Sequence, residues 1–141
     1  MSDAYTGGCA CGAIRYEIPS EPLVMNHCQC RDCQRKSGTG HGSYLTFPGA
    51  GVKLTGQATQ WDIAADNGNV KTRAFCPTCG SPVYMIFTAM PDIFTVHAAS
   101  LDDPGRFRPQ MVMYGVRGHG WDHLDPALPK FDKMPPKKPQ M

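Results

Sequence analysis

His27-Cys28-Gln29-Cys30-Arg31-Asp32-Cys33, continuing through Gln34-Arg35-Lys36-Ser37-Gly38, places three thiols within six residues. A C-x-C-x2-C run brings its sulfurs close enough to grip one soft metal ion. Zinc fits, because thiolates select it and its filled d shell imposes no geometry of its own. Three protein ligands leave one tetrahedral position open. A closed structural zinc has four protein ligands and a catalytic one has three plus an exchangeable group, so the other cysteines decide the reading.

Those cysteines lie in Gly8-Cys9-Ala10-Cys11-Gly12 and in Phe75-Cys76-Pro77-Thr78-Cys79-Gly80. Each pair has metal-ligand spacing and is followed by a glycine able to take the positive φ that turns N–H groups toward the sulfurs. Two pairs make one closed site of Cys9, Cys11, Cys76 and Cys79. The seven cysteines then divide as four plus three, and the odd number argues against a framework built only of disulfides. The alternative partition, with the trio completed by a distant cysteine, leaves three others over.

The rest of the chain suits a metal-supported architecture. At 141 residues it is expected to form one domain over residues 1–125. Its 15 glycines and 13 prolines interrupt it too often for long helices, so the expectation is all-β, with short, mainly antiparallel strands. Ile14, Tyr16 and Ile18 alternate with Arg15 and Glu17 as a half-buried strand that Pro19 ends. Further strands are expected at 23–25, 43–47, 52–54, 59–63, 70–75, 82–87, 93–98 and 111–114, with Gly49, Gly51, Gly56 and Asn67-Gly68 as turns. Cys30 to Lys36 is too polar for a strand and favours a helical turn. From residue 126 to 141, prolines alternate with lysines, the pattern of an extended, partly disordered tail.

A net charge of +2 with interspersed signs gives no footprint for nucleic acid. No apolar run is long enough to span a bilayer, and Met1 to Gly7 lacks the charged and apolar regions of a secretory signal. Free thiols kept for metal then suggest a reducing cytoplasm.

The motifs resemble the glutathione-dependent formaldehyde-activating enzyme family. The likeness rests on Gly7-Gly8-Cys9-Ala10-Cys11-Gly12-Ala13-Ile14-Arg15-Tyr16-Glu17, on His27 to Gln34 with Ser37-Gly38, and on Arg73 to Ser81. Trp121 followed by Leu128-Pro129-Lys130-Phe131 is also similar, and all seven cysteines agree in order and spacing. The resemblance implies a β-tent fold with two zinc ions: a structural one on Cys9, Cys11, Cys76 and Cys79, and a catalytic one on Cys28, Cys30 and Cys33. It also implies a carbon–sulfur lyase that reversibly joins formaldehyde to the glutathione thiol, so the expected partners are a glutathione-like thiol and a small carbonyl compound. Competing readings are a non-enzymatic binding module on the same architecture and a redox or metal-transfer role for the trio.

Other residues are less decisive. Arg31, Arg35 and Lys36 are candidates to offset thiolate charge or meet substrate carboxylates, against the plain reading of a solvated turn. His27 is a candidate fourth ligand, but a residue beside a ligand on a strand points the opposite way. His41, between glycines, reads as a loop residue or a general acid–base group. His97 reads as a strand histidine, and His119 and His123 carry little signal. Ser37 either contacts a sulfur or caps a turn. Trp61 and Trp121 are expected in the core or a cleft wall.

Overall fold

The computed structural model describes residues 3–65 and 68–136. It is all-β apart from one short helix and three 3-10 turns, and the strands are short and mainly antiparallel. The chain forms two compact units, one of Met1–Val24 with Tyr44–Phe107, the other of Met25–Ser43 with Arg108–Met141.

The first unit begins with β1 (Tyr5–Gly8), which pairs antiparallel with β2 (Arg15–Ile18). β2 alternates as its sequence requires: Tyr16 and Ile18 are buried while Arg15 and Glu17 face outward. Two glycines made β1 a poor strand candidate from sequence, since glycine has little to pack on a pleated surface. Close approach explains them, because a Cβ at Gly7 would lie 2.3 Å from the Ser100 carbonyl oxygen and 2.4 Å from the Tyr16 hydroxyl.

Of the next strands, β3 (Val24–Cys28) and β4 (Gly42–Pro48) carry the chain from one unit into the other, while β5 (Lys53–Thr55) pairs with β2. β6 (Thr59–Ala64), β7 (Val70–Phe75), β8 (Pro82–Phe87) and β9 (Ile93–His97) follow. In the first unit they hydrogen-bond in the order β4-β9-β8-β7-β6. β6 ends that order and is polar and exposed along most of its length, which suits an edge.

The core of this unit is aromatic and β-branched. Tyr5 packs on Phe47 with ring centroids 5.1 Å apart, and Tyr84 stacks on Phe94 at 4.9 Å. Ile14, Ile18, Leu45, Phe47, Val83 and Val96 are fully buried, each such side chain worth about 1.5–3 kcal/mol. His97 is a buried strand residue edge-on to Tyr44. Trp61 departs from expectation: it is exposed on β6, whose residues are exposed on both faces of the strand.

The second unit holds the end of β3, the helix α1 (Arg31–Ser37), the start of β4 and β10 (Met111–Met113). β10 runs parallel to β3 and places Met113 opposite Cys28. Within the stretch read as a tail, residues 129–133 bond to β10 and to the chain just after it: Phe131 N–H to Val112 O at 2.9 Å and Gly115 N–H to Phe131 O at 2.8 Å. Lys137 to Met141 and Asn67 lie outside the described residues. No helix among the described residues is long and apolar enough to cross a membrane.

Candidate metal centres

Cys9 and Cys11 lie between β1 and β2, and Cys76 and Cys79 between β7 and β8, all in the first unit. Their four sulfurs all lie within 4.8 Å of one another. Gly12 and Gly80 take φ of +82° and +78°, the left-handed conformation expected after each pair. A Cβ at either would meet nothing within 4 Å, so conformation rather than space calls for glycine. The turns aim backbone N–H groups at sulfur: Ile14 to Cys9 at 3.2 Å, Thr78 to Cys76 at 3.3 Å and Cys79 to Cys76 at 3.5 Å.

The spacing suits a tetrahedral ion. Zinc–sulfur bonds of ~2.3 Å put tetrahedral sulfurs ~3.8 Å apart, and Cys9–Cys11 and Cys11–Cys76 are each separated by 3.7 Å. The charge balance points the same way. Hydrogen bonds from the Ser81 hydroxyl and backbone, with one from the Cys11 backbone, pull the Cys79 thiol down to about 5. At Cys11 the Ala13 N–H pulls downward, but the Cys76 and Cys9 sulfurs outweigh it and push the thiol up to about 11. Four crowded thiols do not ionise together without a cation among them, and a dication would supply that charge.

The trio sits in the second unit. Cys28 ends β3, Cys30 is the N-cap of α1 and Cys33 lies in its first turn, with the sulfurs within 4.8 Å of one another. Cys30 keeps an extended backbone, φ −65° and ψ 156°, and its sulfur accepts the Cys33 N–H at 3.3 Å. Hydrogen bonding with the Cys30 and Cys33 sulfurs, reinforced by burial, pushes the Cys28 thiol strongly upward. Among the described residues no fourth cysteine, histidine or carboxylate joins this group. None of the seven cysteines is in a disulfide.

His27 is not a fourth ligand. It does not join the sulfur group, strand alternation puts neighbouring side chains of β3 on opposite faces, and its Nδ1 lies 2.8 Å from Ser43 Oγ. Burial, with the nearby His41, pushes its pKa down to about 4, so it is neutral at pH 7. His41 is more than a loop residue: its Nδ1 lies 2.9 Å and 3.0 Å from the two oxygens of Asp122. Ser37 caps the helix end, donating to Gln34 O and accepting from Thr39 N–H. Arg31 donates to Gln34 Oε1. Arg35 and Lys36 stand in the last turn of α1, where positive charge complements the exposed carbonyls.

Sequence reasoning missed a polar frame behind the trio. Gln34 is buried with both ends of its amide used: Nε2 donates to Gln29 O at 2.8 Å and Arg117 O at 3.1 Å, while Oε1 also pairs with His119 Nε2 at 2.9 Å. Trp121, expected in a core or cleft wall, is 63% exposed because it stacks on the outside of His119 with rings 4.9 Å apart. The one sequence signal was the pair of glutamines, one between the first two thiols and one just after the third, whose type does not separate buried from solvated.

The profile of the family described as "Glutathione-dependent formaldehyde-activating enzyme" matches residues 4–117. A Halomonas elongata protein, provisionally named as a glutathione-dependent formaldehyde-activating enzyme, is 25% identical over 109 residues; the match covers 68% of this chain and 64% of that protein's length. A crystal structure of a Rhodobacter sphaeroides protein shares the fold with a TM-score of 0.54 at 23% identity, covering 69% of this chain and 87% of that one.

Proposed function

Because the chain belongs to the glutathione-dependent formaldehyde-activating enzyme family, we propose that it is a zinc-dependent carbon–sulfur lyase. It reversibly joins formaldehyde, or a related small carbonyl, to the thiol of glutathione or a close relative. The observation that carries the reading is the three-sulfur group at Cys28, Cys30 and Cys33, which has no fourth protein ligand among the described residues. Cys9, Cys11, Cys76 and Cys79 would hold a structural zinc, and the trio a catalytic one. When bound at the trio, zinc would supply a soft site that takes the substrate thiol as thiolate and accepts it again when the carbon–sulfur bond breaks.

The chain's own groups fit that chemistry. Three thiolates on a dication leave a net charge near −1, so the centre favours a soft sulfur donor over acidifying water. The Cys33 N–H on Cys30 Sγ disperses part of that negative charge. Arg35, exposed and two residues beyond Cys33 in sequence, is available to a substrate carboxylate. Arg31, engaged with Gln34, supplies its charge from a fixed position.

The proposal predicts turnover tied to one of two ions. Exchange between ¹³C-formaldehyde and its glutathione adduct, followed by NMR, should accelerate in proportion to protein concentration. On titration with a chelator, the first zinc should leave the trio and abolish that acceleration while the fold persists, since three ligands and an open face give an easier exit. An exchange rate indifferent to the protein, or two ions lost together with unfolding, would contradict it.

A further inference from the structure

Gln29 is the one residue between Cys28 and Cys30, and it is held from three directions. Its N–H donates to Met113 O at 2.9 Å, its carbonyl accepts from Gln34 Nε2 at 2.8 Å, and its own Nε2 donates to Asp122 Oδ2 at 3.0 Å. Asp122 has a buried side chain, 6% exposed, and His41 is its second partner. The fit around the pair is close: a Cβ at Gly40 would lie 2.4 Å from Asp122 Cγ, and one at Gly118 would lie 2.7 Å from Gln29 Oε1.

One atom of this frame is unsatisfied. Gln29 is 1% exposed, and its Oε1 is buried without a partner among the described residues. Such an acceptor costs about 1–3 kcal/mol. Turning the amide over would set that oxygen against a carboxylate, which is worse. The orientation of Gln29 is therefore imposed by Asp122 and gained at the expense of local stability, a trade expected at a functional site rather than in a purely structural turn.

We infer that Asp122, backed by His41, is a positioning residue of the three-cysteine site. It fixes Gln29 and so the spacing and direction of the Cys28 and Cys30 sulfurs. The inference rests on the reading of the trio as a metal site. Side chains 27 and 29 leave the extended chain on the side opposite 28 and 30, so Asp122 and His41 stand behind the sulfurs and ligate nothing there, in keeping with their absence from the group that could share an ion. Groups that orient ligands in this way change metal affinity by about 10–100-fold when removed.

The test is chelator competition on the full-length zinc-loaded protein, scoring the two ions separately. Asp122→Ala should weaken zinc at the trio by about 10–100-fold and leave the four-cysteine ion unchanged. Asp122→Asn keeps an oxygen for the Gln29 amide and should restore most of the affinity. Unchanged trio affinity in Asp122→Ala overturns the inference. So does an equal loss at both sites in both variants, which would mark Asp122 as a residue of general stability. A wild-type trio that takes no zinc would instead sink the metal reading, and this inference with it, so the two failures are distinguishable.

Discussion

Cys76→Ser is expected to abolish folding rather than merely weaken it. Cys76 is fully buried and its sulfur lies 3.7 Å from that of Cys11, 65 residues earlier in the chain. Its sulfur also accepts the Thr78 and Cys79 N–H groups, so it anchors the whole turn between β7 and β8. Zinc bound at such a closed site contributes ~10–16 kcal/mol in small peptides, against the ~5–15 kcal/mol net stability of a domain. A serine hydroxyl is a harder, less acidic donor and does not replace the thiolate. Circular dichroism and zinc analysis of the soluble fraction should show little folded, metal-loaded protein; a variant that melts like the wild type would contradict the structural role.

Cys30→Ser should do the reverse. Cys30 joins residues only two and three positions away and closes no long loop. It caps α1 through the Cys33 N–H, and serine is among the preferred residues at an N-cap with extended backbone, so the helix should be held as well or better. The protein should stay soluble, retain the four-cysteine ion and lose the trio's. Formaldehyde–glutathione exchange should fall by more than the ~10–100-fold typical of losing an outer partner, toward the uncatalysed rate. Aggregation of Cys30→Ser beside a well-folded Cys76→Ser would mean the roles are exchanged.

What the sequence disclosed and what it withheld follow from the range of the interactions. Strands with period-2 patterning and turn residues at their ends were legible: 70–75 and 82–87 coincide with β7 and β8 as read. The grouping of the four cysteines was legible because two short-range spacings each demand a partner pair, wherever it lies in the chain. β1 was not, since Gly7 is chosen for its contact with Tyr16 and Ser100, partners fixed only by tertiary pairing. Asp122 was invisible for the same reason: a lone aspartate between Trp121 and His123 has no local pattern, and its partners Gln29 and His41 are 93 and 81 positions away. The exposure of Trp61 and Trp121 was equally hidden, because hydrophobicity says how a side chain gains from burial and not whether a layer is there to bury it.

The central claim is that Cys28, Cys30 and Cys33 hold a metal whose fourth place is taken by a substrate thiol. It is tested most directly by exchanging the trio's ion for cobalt, with zinc left in the four-cysteine site, and recording the visible spectrum with and without thiol. Glutathione, adding a fourth sulfur, should shift and intensify the cobalt band, whereas S-methylglutathione, which forms no thiolate, should leave it nearly unchanged. A band indifferent to every thiol, or one already characteristic of four sulfurs in the free protein, would contradict the account.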